Sequence, residues 1–217
     1  MRLRITFSKT GSLRYTGHLD LQTVWERTAR RAALSLAYTH GFHPGPRIQI
    51  ASALPLGYAG RAEIVDMWLE LSQIDYADAR KRLQAGAPPG LTIQQVEAVD
   101  EHDPALQTQV VSAEYEVTLL ETVSDPDLQS RLEGLLAATS LPRERRGKPY
   151  DLRPLIEELS VSPSSLGGGV GVRVFMRLAA REGATGCPEE VLDVLGIPLE
   201  MTHIERTRLL LRTGLGK

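Results

Sequence analysis

Two kinds of hydrophobic periodicity alternate along this chain, and their order repeats. In residues 2–8, Leu3, Ile5 and Phe7 fall on one side and Arg2, Arg4 and Thr6 on the other, the period of two of a half-buried strand. Residues 18–33 then place Leu21, Val24, Trp25, Thr28, Ala29 and Ala32 on one helical stripe. A short strand over Leu34–Thr39 is followed by a Pro/Gly-broken loop, residues 41–46. Strands are predicted over Arg47–Leu54, Ala62–Leu71 and Leu91–Val99, with a helix over Tyr76–Ala85 that Gly86 and Pro88-Pro89-Gly90 end. After a polar lapse at Asp100–Gln109 the series resumes. Glu114–Glu121 reads as a strand, and Leu128–Ala138 as a helix with Asp125 as cap and Pro126 in its first turn. Pro142–Pro149 reads as a basic extended segment, Tyr150–Val161 as mixed, and Pro163–Gly169 as a loop. Gly171–Ala179 reads as a strand, Pro188–Leu195 as a short helix and Glu200–Leu211 as a final strand.

The order is β-α-β-β-α-β with one additional strand, then β-α-β-β-α-β again. This is the split βαβ pattern, so the expected class is α+β: two ferredoxin-like halves, each an antiparallel sheet with helices on one face. The expected division places residues 1–103 in the first half and residues 110–217 in the second. No residue-level repeat accompanies the repeated order, so the duplication rests on element order alone.

Composition narrows the class further. With 42% hydrophobic and 24% charged residues, the chain is neither disordered nor low-complexity. No run approaches the ~18–20 apolar residues that cross a bilayer, and MRLRITFSK lacks the apolar block of a secretory signal. A single cysteine, Cys187, forms no internal disulfide, which suits a reducing cytoplasm. The net charge of −2 conceals an asymmetry: residues 1–62 carry nine Lys or Arg against two acids, and residues 63–139 four against fifteen. A basic first quarter suits a polyanion such as RNA, or else it faces the chain's own acidic segment.

The densest stretch of chemistry is Lys9–Gly57. It holds Gly11-Ser12-Leu13-Arg14-Tyr15, Gly17-His18-Leu19-Asp20, Arg30-Arg31-Ala32, Gly41-Phe42-His43-Pro44-Gly45-Pro46 and Leu54-Pro55-Leu56-Gly57. In order and spacing this run resembles a radical SAM-linked family of unknown function, whose domain stands alone or follows a radical SAM protein on one chain. Gly17, His43 and Gly45 depart from that family's pattern, which has Ser, Asn and His there. The resemblance implies an associate, a radical SAM enzyme on a separate chain, and no chemistry of its own.

The candidate binding residues form four groups. His18 and Asp20 open a predicted helix, either tying down a neighbouring loop or contacting a ligand in a cleft. His40, Phe42 and His43 lie on the Pro/Gly loop. Together with His18, the two loop imidazoles have no recognised metal spacing and no cysteine beside them, so neither a metal nor a cofactor is expected. Arg27, Arg30 and Arg31 make a cationic helix stripe that Arg14, Arg47 and Arg61 extend; it is either a phosphate contact, which guanidinium forks suit, or a solvated face paired with acids such as Glu63 and Asp66. Arg143, Arg145, Arg146 and Lys148 form a second cationic segment. Cys187 before Pro188 stands at a helix start, a setting that lowers a thiol pKa.

No Cys-x-x-x-Cys-x-x-Cys triplet is present, so radical chemistry would belong to a partner. The expected function is a non-catalytic accessory module that recognises or presents a substrate such as structured RNA. One alternative is a metal-independent RNA-processing enzyme using His18, Tyr15 and Lys9 for proton transfer, which requires those side chains to converge on an open cleft. The other is a pure protein–protein adaptor, to which neither arginine cluster would matter.

Overall fold

In the computed structural model, residues 1–119, 128–166 and 169–212 are described, with the backbone alone for 163–166 and 169–171. The protein is mixed α+β, with mostly antiparallel pairing and five helices among the described residues. It divides into two compact units, Met1–Val110 with Arg212, and Val111–Leu211.

In the first unit the alternating opening residues form β1 (Arg2–Lys9), and the amphipathic run forms α1 (His18–Arg31). Then come β2 (Ile48–Ile50), β3 (Ala59–Trp68), α2 (Tyr76–Gly86), β4 (Leu91–Val99) and the single-turn α3 (Leu106–Gln109). The strands lie in the order β2-β3-β1-β4, every pair antiparallel. Leu3, Ile5 and Phe7 are buried, as the period of two requires, and Phe7 meets Trp25 of α1 edge to face at 4.8 Å between centroids. Asp75 caps α2 by accepting from the Ala77 and Asp78 amides. Gly90 takes φ +88°, and a Cβ there would collide with the Thr10 carbonyl that lies against it. The close approach lets the Gly90 carbonyl accept from the Thr10 amide at 2.9 Å.

At the end of α1, Ala33 adopts φ 51°, a left-handed position usually held by glycine. The Leu34 amide reaches back to the Ala29 carbonyl at 3.0 Å. The side chain of Arg82, from α2, satisfies two further carbonyls, Ala32 at 2.8 Å and Ala33 at 2.6 Å. This tight stop turns the chain into the extended segment 34–39, which pairs through Leu36 with Leu69 and through Tyr38 with Pro46. The strand expected over Arg47–Leu54 shrinks to Ile48–Ile50, because residues 45–47 are drawn off to pair with this segment.

The second unit comprises β5 (Val110–Leu119), α4 (Leu128–Ala137), the hairpin β6 (Pro142–Arg145) and β7 (Lys148–Asp151), β8 (Ile156–Leu166), β9 (Gly169–Arg181), β10 (Ala184–Thr185), α5 (Pro188–Val194) and β11 (Thr202–Leu211). Its strands run β8-β9-β5-β11, with the short β10 extending β9. Val174, Met176 and Leu178 of β9 are fully buried at alternate positions, beside Val117 of β5 and Val191 of α5. The basic extended segment 142–149 is a hairpin: Arg146 and Gly147, at φ 53° and 74°, make the mirror-image turn that suits paired strands.

One loop expectation is overturned. Residues 163–166 and 169 belong to β8 and β9, with Pro163 opposite Val172 and Leu166 opposite Gly169. Gly167 and Gly168 lie outside the described residues, as do the expected cap Asp125, Pro126 and the expected strand end at Glu121.

Candidate functional site

The basic first quarter separates into an inward and an outward set. Arg2 and Asp66 are 1% and 0% exposed, which corrects the reading of β1 as having a solvated polar face. Asp66 accepts from Arg2 Nε at 2.9 Å and from Arg4 Nε and Nη2, both at 2.9 Å. Arg2 also donates to the Asp103 and Pro104 carbonyls, so its fork is fully occupied. Lys9 is buried and donates to the Thr16 carbonyl at 2.8 Å. Three cations of the opening are thus structural, and their charge is spent inside the first unit.

The outward set lies on α1 and the loop beyond it. The helix buries Leu21, Trp25, Thr28 and Ala29. Arg27, Arg30 and Arg31 therefore project to solvent, and no carboxylate pairs with any of them among the described residues. Among the described residues, the one side-chain hydrogen bond of the trio is a long contact, 3.4 Å, from Arg31 to the Gly86 carbonyl. Residues 38–46 fold back on themselves, with Thr39 and Gly45 exchanging backbone and side-chain bonds at 2.8 and 3.0 Å. That closure carries His40, Phe42 and His43 to an exposed tip where Phe42 is 102% exposed. Arg47 follows at the base of the loop with its guanidinium 4.6 Å from the centre of the Trp68 ring.

The motifs at the start of α1 meet the Leu-Pro-Leu-Gly turn. Gly57 donates its amide to the Arg14 carbonyl at 3.0 Å, and Arg14 lies over the Tyr15 ring at 4.9 Å while donating to its hydroxyl at 2.7 Å. Tyr15, Leu19 and Leu56 are largely exposed there, and His18 and Asp20 open the helix at the surface. His18 and Tyr15 thus face solvent, while the Lys9 ammonium is turned inward and engaged. Among the described residues no group of three His, Cys, Asp or Glu side chains is placed to hold a metal.

The second cationic segment divides the same way. Arg143 pairs with Asp193 at 2.9 Å, and Arg145 with Glu190 at 2.7 Å, both acids belonging to α5. Arg145 also reaches the Thr185 carbonyl, the Tyr150 hydroxyl and Cys187 Sγ. Burial, with Glu190 nearby, pushes the Tyr150 phenol up to about 12. Burial likewise pushes the Cys187 thiol up, against the lowering pull of Arg145. The place at a helix start therefore does not lower this thiol. Arg146 and Lys148, at the hairpin turn, remain exposed.

Sequence patterns do not single out a groove of about 430 Å³ between the last turns of α1 and the segment 34–38, bordered by Glu26, Arg30, Tyr38 and Glu70. Its walls come from residues whose pattern is that of ordinary helix surface and a short strand.

No helix among the described residues is long and apolar enough to cross a membrane. None of the curated proteins matches the chain. A chain in a crystal structure of a Cbf5–Nop10–Gar1 complex aligns with 95% of this chain at 11% identity and a TM-score of 0.49. This chain spans about half, 48%, of that one's length. Residues 2–187 match the model of a family described as an uncharacterized protein conserved in bacteria, DUF2344, and the chain belongs to that family.

Proposed function

We propose that the protein is a non-catalytic accessory module that recognises structured RNA through its first unit and works with a separately encoded radical SAM enzyme. The observation that carries the RNA reading is the trio Arg27, Arg30 and Arg31, exposed on one helix with no carboxylate partner among the described residues. An unpaired guanidinium row is a phosphate ladder in waiting, since each fork offers paired donors to a phosphate oxygen pair. The exposed Phe42 and the loop histidines add faces on which an unstacked base can lie. The link to a radical SAM enzyme rests on the motif run Lys9–Gly57 and its resemblance to the radical SAM-linked family. In the same reading the two units are ferredoxin-like halves, each with the strand order that a split βαβ pair produces.

The test is binding of a transfer-RNA transcript across a salt series, with the wild type and the triple variant Arg27→Gln/Arg30→Gln/Arg31→Gln. Affinity of the wild type should fall steeply with salt, and the triple variant should flatten the log–log slope by about two to three. Phe42→Ala should weaken binding by ~1–3 kcal/mol without changing that slope. Salt-insensitive binding, or a triple variant indistinguishable from wild type, refutes the RNA reading. Failure of a co-expressed radical SAM protein to co-purify refutes the partnership alone.

A further inference from the structure

We propose that the groove beside α1 receives an extended segment of a partner protein, which adds as a strand to the open edge of residues 36–38. The groove shares Arg30 with the arginine row, and its other lining residues lie outside that row.

The edge is defined by hydrogen bonds made and not made. In an extended chain, successive residues turn their N–H and C=O groups to opposite sides. Ser35, Ala37 and Thr39 turn theirs toward the rest of the unit. The Ser35 carbonyl accepts from Glu70, Ala37 donates to Trp68 and accepts from Arg47, and Thr39 donates to Gly45, all at 2.7–3.0 Å. Leu36 and Tyr38 turn theirs the other way, and no hydrogen bond is formed by their amides or carbonyls among the described residues. Leu36 is 7% exposed, so little water reaches a backbone left unpaired there. These groups border the groove of about 430 Å³, with Glu26 and Arg30 of α1 on its far side and Leu34 in its floor.

The same unit closes its β4 edge with side chains. Gln84 of α2 donates to the Leu91 carbonyl at 3.3 Å and accepts from the Ile93 amide at 2.7 Å, and Arg80 donates to the Ile93 carbonyl at 3.2 Å. Covering an edge in this way prevents unwanted strand pairing. The fold thus caps one edge and leaves a groove along the other, between an edge and a helix, as in peptide binding by strand addition.

Charge selects the occupant. The groove carries two carboxylates, Glu26 and Glu70, against one guanidinium, Arg30, and neither carboxylate has an ion-pair partner among the described residues. A segment with basic side chains alternating with apolar ones places its cations beside Glu26 and Glu70 and its apolar groups over Leu34 and Leu36.

The test is fluorescence anisotropy with labelled, capped hexapeptides in which lysine alternates with valine, leucine or threonine. A matched set is methylated on alternate backbone nitrogens, which removes the donors of one strand edge. At least one unmethylated peptide should bind, and its methylated partner at least tenfold more weakly. Tyr38→Pro deletes an amide that forms no hydrogen bond among the described residues and should weaken binding tenfold or more. Glu26→Gln/Glu70→Gln should weaken lysine peptides, whereas RNA binding should not weaken. Equal binding of methylated and plain peptides, no binding of any peptide at about 1 mM, or unchanged binding to Tyr38→Pro overturns the proposal. A concentration-dependent dimer that excludes peptide and is abolished by Tyr38→Pro overturns it in favour of a second copy of this chain as occupant.

Discussion

Replacing Asp66 by alanine should be among the most damaging single changes in the first unit, and the structure sets the scale. Asp66 is fully buried and is the sole carboxylate among the described residues within bonding distance of Arg2, which is itself 1% exposed. Removing the carboxylate leaves a guanidinium in a space without water, held by two carbonyls, the Asp103 and Pro104 oxygens at 2.8 and 3.1 Å. Breaking a buried pair from one side costs ~3–5 kcal/mol, because the remaining charge keeps its desolvation cost. Asp66→Asn preserves the shape and one accepting oxygen, so it loses charge-assisted bonds without opening a void and should cost ~1.5–3 kcal/mol. Arg4 is only partly buried and can turn to water, so Arg4→Ala should cost less than either. Urea unfolding followed by far-ultraviolet circular dichroism reads all three, with the change taken at the midpoint and a constant slope. A domain of this size has ~5–15 kcal/mol to lose, so Asp66→Ala should be visibly unstable. An Asp66→Ala cost below ~1 kcal/mol would refute the reasoning, since it would mean that water already reaches Arg2.

Two further expectations concern backbone and pH. Gly90→Ala places a Cβ at φ +88° against the Thr10 carbonyl, and should destabilise by ~1–3 kcal/mol in the same unfolding assay, whereas Gly134→Ala, which meets nothing within 4 Å inside α4, should not destabilise. The Tyr150 phenol, pushed up to about 12 from an ordinary value of 10.0, is stabilised in its protonated form by the fold. Its contribution to stability is therefore complete below pH 10.0 and disappears as pH climbs through about 12. Tyr150→Phe should remove a phenol that titrates near pH 12 from an ultraviolet phenolate titration and flatten the melting-temperature decline over that window.

Four of the five helices and most strands were legible because their signals are local, whereas the single-turn α3 falls in the stretch read as a polar lapse. The stripe of Leu21, Trp25, Thr28 and Ala29 places α1, Asp75 caps α2, and Leu91–Val99 is a strand with the expected bounds. What could not be read depends on partners distant in sequence. Arg2 and Arg4 have the pattern of a solvated strand face, and only the pairing that sets Arg4 opposite Asp66 shows that they are interior. The Pro/Ser/Gly composition of 163–169 signals a loop, yet pairing with β9 holds its backbone extended through Leu166, and a proline is tolerated where its missing donor is not required. The arginine row was visible as spacing. Its lack of carboxylate partners was not, since that depends on where every acid of the chain comes to rest.

The same dependence explains why the charge asymmetry is a poor guide taken whole. A count over residues 1–62 gives each cation equal weight, but charge acts outward only where water or a ligand can meet it. Arg2, Arg4 and Lys9 are absorbed by Asp66 and by carbonyls of their own unit. Arg143 and Arg145 are absorbed by Asp193 and Glu190. What survives on α1 is a row at spacing i, i+3 and i+4, so its members share one face of a rigid helix. A row of this kind differs from scattered surface cations because its geometry is fixed before any ligand arrives, and the ordering cost of gathering three long side chains is partly met by the helix itself. If phosphate contact is its use, moving one arginine off that face, as in a swap of Arg27 with the neighbouring Glu26, should weaken RNA binding even though composition and net charge are unchanged. An unaltered affinity in that swap would show that charge alone, and not its placement on α1, attracts the ligand.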